Sequence, residues 1–422
     1  MRKLLPVGFL LVSSILLAAL GAQTVPEDED PALEHARWIL RSTLLIDGHN
    51  DLPWVIRRYP EAPGDVEAHD LRKRTPGDTD LERMKEGHVG AQFWSVWIPP
   101  GLEDESYAKV QLEQIDLVRR MIDHYSESLG LALTASDIET IFEQGRIASL
   151  IGMEGGHAIE NSLGALRAFY ALGVRYMTLT HSATVDWADA ATDEPKHNGL
   201  TAFGKEVIRE MNRLGMLVDL SHVTPEVMSD ALDISEAPVI FSHSSARALT
   251  DHPRNVPDTI LTRLPENGGI VMVSFVPDFV SQDVADWEAA LEELFKGIDS
   301  REERKQIREK YAEEHPMPRA TISQVADHID HVQKVAGIDH VGIGSDFSGS
   351  SEMPIGLEDT SRFPYLFAEL IRRGWSDSEL KKLAGENFLR AFREAEAAAR
   401  RIQKLRPAST ATIEDLDGDA EE

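Results

Sequence analysis

Eight short apolar runs, separated by stretches of helical period, set the plan of this chain. The runs cover residues 43–49, 89–97, 147–153, 176–180, 217–220, 238–241, 270–275 and 340–344. Each is nearly free of charge along its length. A continuous apolar run of this size fits a strand covered on both faces, as in a parallel sheet. Between the runs, apolar residues recur three and four positions apart over 80–86, 106–129, 135–144, 163–172, 201–214, 361–373 and 376–399. That spacing predicts amphipathic helices. The punctuation agrees: Gly173 and Gly215 stand where helices should stop, and Thr224-Pro225-Glu226 opens one with a cap and a proline at the first helical position. Strands alternating with helices eight times predict an α/β protein, a (β/α)8 TIM barrel.

The chemistry gathers where the strands end. In such a barrel the active site lies at the C-terminal rim of the strands. Here the ends carry His49 and Asp51, Glu154, His181, His222, His243 and Asp346. Residues two apart on a strand point the same way, so His49 and Asp51 project together. His49, Asp51, Glu154, His222 and His243 are five ligands suited to zinc or a similar divalent ion. Five ligands exceed what one open zinc site needs and suit two Zn2+ ions per chain, bridged by Glu154. One ion would take His49, Asp51 and Glu154, and the other Glu154, His222 and His243. Water held between them becomes acidic enough to attack a carbonyl or phosphoryl centre. Asp346 can pass a proton from that water to a leaving group. His181 has two readings: a donor to a developing oxyanion, or a hydrogen-bonded residue of the rim. His157, two glycines after Glu154, reads as a supporting or structural residue. The fold class is therefore a TIM barrel of the metal-dependent hydrolase type.

The remaining features narrow the setting. Arg2-Lys3, an apolar stretch to about Leu20 and small residues at Gly21-Ala22 form the pattern of a secretory signal peptide over 1–22. Export to the periplasm or the medium follows, with an N-terminal membrane anchor as the alternative if the segment is retained. After removal no stable membrane insertion is expected. Residues 23–42 read as a linker and first helix, and 43–400 as the catalytic barrel. A charged helical insertion at about 283–318 reads as a solvated excursion or, alternatively, a wall over the barrel mouth. Residues 401–422 read as an acidic, disordered tail. The chain of 422 residues has no cysteine, so stability rests on its core, and cysteine nucleophiles and ligands are excluded. A net charge of −29 argues against nucleic acid as a partner.

Several motifs together resemble the membrane dipeptidase (renal dipeptidase) family of zinc peptidases, from about Leu45 to Arg393. They are Ile46-Asp47-Gly48-His49-Asn50-Asp51-Leu52-Pro53-Trp54, Gln92-Phe93-Trp94-Ser95-Val96, Glu154-Gly155-Gly156-His157, Thr178-Leu179-Thr180-His181-Ser182, Asp219-Leu220-Ser221-His222, Phe241-Ser242-His243-Ser244-Ser245, Arg254-Asn255-Val256-Pro257 and Gly344-Ser345-Asp346-Phe347. The resemblance implies a binuclear zinc dipeptidase acting on unblocked dipeptides, and a homodimer. It implies that Arg254 holds the substrate carboxylate, that His181 binds substrate and that Asp346 is the acid/base. Animal members carry disulfides and a C-terminal lipid; with no cysteine and an acidic C-terminus, this chain looks like a bacterial, exported relative. Other readings stay open from the residues alone. One is another binuclear amidohydrolase, acting on N-acyl amino acids, lactams or lactones. The other is a metal-containing binding protein without turnover.

Overall fold

Strands rich in Val, Ile, Leu and Met are buried on both faces here, so they demand a layer of helices outside and a filled interior within. The computed structural model of the protein describes residues 30–102, 105–298, 300–350 and 352–418. In it the strands are β1 (Leu45–Asn50), β2 (Val89–Ser95), β3 (Leu129–Leu131), β4 (Ile147–Glu154), β5 (Val174–Thr178), β6 (Leu217–Asp219), β7 (Ile240–Phe241), β8 (Ile270–Val273) and β9 (Val341–Ile343). Their order is β2-β1-β9-β8-β7-β6-β5-β4, all parallel, and pairing of β2 with β4 closes the ring. Eight staves with helices between them make a (β/α)8 barrel. All eight expected strands are present.

β3 was not expected. The helix predicted over 106–129 ends at His124, and Leu129-Gly130-Leu131 turns back to pair with the outer edge of β4. It stands outside the closed ring, where a three-residue strand leaves little mark in the apolar pattern. Inside the barrel, Ile46, Phe93, Leu150, Tyr176, Ile240 and Met272 form one apolar cluster, joined by Phe388 and Phe392 of the last long helix. The Phe93 and Phe388 rings sit 5.4 Å apart. A second and larger cluster lies between strands and surrounding helices.

The C-terminal region differs from expectation in two ways. The helix expected over 376–399 is divided into Asp377–Lys381, a π-turn at Lys382–Glu386, and Asn387–Leu405. Gly385 sits in that turn against β1; a Cβ there would meet Leu44 O at 2.3 Å. The stretch from 401 also departs from a disordered tail. The long helix runs on to Leu405, and a short helix, Ile413–Asp417, lies against helix Ala202–Leu214. Asp417 Oδ1 there accepts the Phe203 N–H at 3.1 Å. The proposed signal at 1–22 lies outside the described residues. Among the described residues, no helix is long and apolar enough to cross a membrane.

The insertion after β8 forms helices Gln282–Phe295 and Arg301–Glu314. The second buries no residue fully, as its polar sequence requires. The pair nevertheless has a small core of its own: Trp287, Leu291 and Phe295 packed by Ile307, Tyr311 and Met317. Trp287 Nε1 donates to His315 O at 2.7 Å and ties the two helices together.

Candidate active site

The strand-end residues converge on one point. Glu154, the last residue of β4, lies at its centre with its two oxygens turned to different partners. Oε2 is 3.4 Å from His49 Nε2. Oε1 is 2.9 Å from His222 Nε2, 3.3 Å from His243 Nε2 and 3.8 Å from His181 Nε2. Asp51 Oδ2 and Asp346 Oδ1 stand 3.5 Å and 3.9 Å from His49 Nε2. Donor atoms fall into three compact groups: His49, Glu154 and His243; Glu154, His181 and His222; and His49, Asp51 and Asp346. His181 thus joins the cluster at ligand distance, which spacing along the chain did not indicate.

Several of these candidate ligands are aimed by residues behind them. Gly152 has no side chain, and a Cβ there would fall 2.0 Å from the Tyr176 ring. The space admits Tyr176, whose hydroxyl lies 2.8 Å from His49 Nδ1. Nδ1 is occupied and Nε2 is left for the cluster. His243 is handled by a relay. Ser242 Oγ donates to Asp219 Oδ2 at 2.6 Å and lies 2.8 Å from His243 Nδ1. With the hydroxyl hydrogen spent on Asp219, His243 Nδ1–H donates to Ser242 and Nε2 is again free. Asp47 performs the matching task below Asp346, accepting from Ser345 N at 2.7 Å and Ser345 Oγ at 2.6 Å. Asp346 and His222 both take positive φ, +64° and +71°, uncommon for such residues and concentrated at functional sites.

The electrostatics are those of a cation site. Burial alone would favour neutral groups, yet Glu154 is held well below the usual carboxylate range by His49, His181, His222 and His243. Burial lowers His222 and His243 well below an ordinary histidine, with Arg254 adding to it. Asp346 is pushed up to about 8 by burial and by the charges of Asp51 and Glu154. Among the described residues, His49 Nε2, Asp51 Oδ1 and His222 Nδ1 are buried without a hydrogen-bond partner. A buried polar atom without a partner is costly, and a divalent ion would satisfy His49 Nε2 and Asp51 Oδ1 directly. The donor set of imidazoles and carboxylates fits such an ion.

Arg254 belongs to the same place. It is buried, donating through Nη2 to His243 O at 3.2 Å and through Nη1 to Ser244 Oγ at 3.4 Å, and its guanidinium carbon sits 5.0 Å from the Phe279 ring centroid. A cavity of about 570 Å3 opens over the cluster and is lined by Asp51, Glu154, His181, His222, Arg254 and Asp346. His157 stays outside it, with Nε2 against Ile98 O at 3.1 Å and its ring on Tyr107, a structural placement. Trp54, Trp97, Asp278, Phe279, Glu288 and Arg308 also line the cavity; Trp54 enters the sequence reading only as the end of a motif, and the other five were not singled out. The strand-end rule could have found Trp97, two residues past β2, since it covers any residue at the rim.

Residues 33–406 match the family "Membrane dipeptidase (Peptidase family M19)". The chain belongs to the membrane dipeptidase family. Dipeptidase 3 of Rattus norvegicus is 42% identical over 374 residues, spanning 87% of this chain and 68% of the relative. Among solved structures, the probable dipeptidase PvdM from Pseudomonas aeruginosa superposes with a TM-score of 0.76 at 26% identity, covering 87% of this chain and 99% of that one. A metallo peptidase from Rhodobacter sphaeroides, solved with a phosphinate mimic of the dipeptide L-Ala-D-Ala, gives a TM-score of 0.69 at 26% identity. It covers 84% of this chain and 100% of its own. As a membrane dipeptidase, this protein is a metal-dependent hydrolase of dipeptides.

Proposed function

We propose that the protein cleaves the peptide bond of unblocked dipeptides with two zinc ions, held by His49, Asp51, Glu154, His222 and His243. The division of Glu154 carries this reading. One oxygen faces His49 and the other faces His222 and His243, the arrangement a carboxylate needs to serve two cations at once. When bound, the ions polarise the scissile carbonyl and acidify the attacking water.

The chain's own residues do the rest. Asp346 takes the proton of the attacking water and delivers it to the leaving amine. Burial raises its pKa to about 8, which favours a carboxyl able to hold a proton at this position. His181 lies 3.1 Å from Ser182 Oγ through Nδ1. With that hydroxyl donating, Nε2 carries the hydrogen and offers it to the carbonyl oxygen as charge develops there. Arg254 receives the free carboxylate of the substrate and so restricts the site to short peptides. The L-Ala-D-Ala mimic held by the Rhodobacter sphaeroides relative supports a substrate of that size.

The test compares an unblocked dipeptide with its C-terminal amide, using metal-stripped protein with and without added zinc. Zinc-dependent cleavage of the free dipeptide, with the amide cleaved poorly, is the expected result. Equal cleavage of both removes Arg254 as the carboxylate holder. Export through residues 1–22 belongs to the same proposal, supported by the basic start and apolar run. The mass of the mature protein recovered from the periplasm or medium tests it; a full-length mass contradicts removal.

A further inference from the structure

The cavity wall beyond Arg254 is built of charged groups that hydrolysis does not use. Asp278 follows β8, and Glu288 and Arg308 come from the two insertion helices; all three line the cavity together with Glu154 and Asp346. Charge alternates along this wall as Arg254, Asp278, Arg308, Glu288. Burial raises the pKa of both carboxyls; against it Arg254 and Arg308 favour the charged form of Asp278, and Arg308 that of Glu288. Arg308 is committed to Glu288 by a forked contact, with Nη1 to Oε1 and Oε2 at 3.1 and 3.2 Å and Nη2 to Oε1 at 2.5 Å. Its guanidinium carbon lies 5.3 Å from the Trp287 ring. Arg254 is committed to the substrate carboxylate.

Among the described residues, no arginine or lysine forms an ion pair with Asp278. Its near partner is His252 Nε2 at 3.4 Å. His252 Nδ1 accepts the Arg254 N–H at 3.2 Å, so the ring faces Asp278 as a neutral Nε2–H. With Arg254 bound to a free carboxylate, the wall carries one negative charge in excess. An acidic side chain would add a second. An ammonium or guanidinium would cancel it. In a partly desolvated cavity such differences count for more than at an open surface. The Arg254 guanidinium carbon lies 5.0 Å from the Phe279 ring centroid, and His252 bridges the Arg254 backbone N–H and Asp278, so a residue whose carboxylate is held by Arg254 would be the one whose side chain comes near this wall.

We propose that Asp278, together with the Glu288–Arg308 pair, selects the C-terminal residue of the dipeptide, favouring a cationic side chain over an acidic one. This rests on the dipeptidase reading and on Arg254 as holder of the carboxylate. It gives the insertion a role as a specificity wall.

The test measures kcat/KM of the zinc-loaded protein for Ala-Ala, Ala-Lys, Ala-Glu, Lys-Ala and Glu-Ala, in wild type, Asp278→Asn and Glu288→Gln. The wild-type ratio of Ala-Lys to Ala-Glu is expected to be about tenfold or more. It should fall at least about fivefold in Asp278→Asn, and also in Glu288→Gln, which frees Arg308. The ratio of Lys-Ala to Glu-Ala should stay within about twofold. Ratios within one protein cancel any common loss of folded or metal-loaded enzyme. A wild-type ratio near one, a ratio unchanged in both variants, or a shift confined to the N-terminal position overturns the proposal. In those cases cleavage of Ala-Ala leaves the dipeptidase reading standing, whereas failure to cleave any of the five overturns both.

Discussion

At the scale of single residues, the site is a set of candidate ligands whose free ends are dictated by what holds their other ends. Ser242 is the plainest case, because one hydroxyl hydrogen given to Asp219 decides which nitrogen of His243 faces the cavity. Ser242→Ala should weaken metal binding by roughly tenfold, within the range seen for loss of an outer partner; competition with a chelator measures it, and an unchanged affinity would show that the relay does not matter. Glu154→Gln should cost more, above about 100-fold in activity, since the substitution takes an anionic oxygen from both halves of the cluster. Full turnover in that variant would remove the bridging role. The convergence of these residues was legible in the sequence because strand ends mark the barrel rim and because imidazole and carboxylate are poor choices for a merely structural position. Arg254 was legible only through family resemblance. Its place depends on a loop shaped by tertiary bonds, such as Asn255 Oδ1 accepting from Ser245 N at 3.1 Å, which no local pattern announces.

At the scale of elements, the eight staves followed from apolar runs, while the pieces that do not obey a single period were hidden. β3 is three residues at an outer edge. The π-turn at Lys382–Glu386 interrupts a helix whose apolar spacing runs on through it, at the place where Gly385 closely approaches Leu44. The insertion is similar. Its second helix is so polar that sequence favours plain solvation, yet Glu288 and Arg308 reach the cavity. Its stability rests on few contacts, centred on Trp287. Trp287→Ala should cost about 3 kcal/mol, borne locally by the two helices. Hydrogen exchange should then rise over 282–314 and stay unchanged in the barrel strands. Uniform loss of protection would instead mean that the insertion is part of the cooperative core.

At the scale of the whole molecule, buried neutral histidines tie stability to pH. His328 is almost wholly buried; its Nδ1 accepts the Ala246 N–H at 3.0 Å, and burial lowers its pKa from 6.5 to about 4. Folded protein therefore keeps this ring neutral down to about pH 4, while unfolded chain protonates it below 6.5. The unfolded state binds more protons across that window, so stability is full above pH 6.5 and falls as pH drops toward 4. The loss attached to His328 is on the order of 3 kcal/mol. Denaturant melts of wild type and His328→Gln at pH 7 and pH 4.5 measure it, and the variant should show a smaller difference between the two. An equal difference would place the acid sensitivity elsewhere.

The central claim is that Glu154 divides its carboxylate between two zinc ions, and counting metal tests it most directly. Native mass spectrometry of zinc-loaded wild type, beside Glu154→Gln, reads the count on intact chains. Two zinc ions per wild-type chain are expected, with loss of both from the variant under the same zinc concentration. A fully active wild type carrying a single ion, or a variant that keeps two, would contradict it.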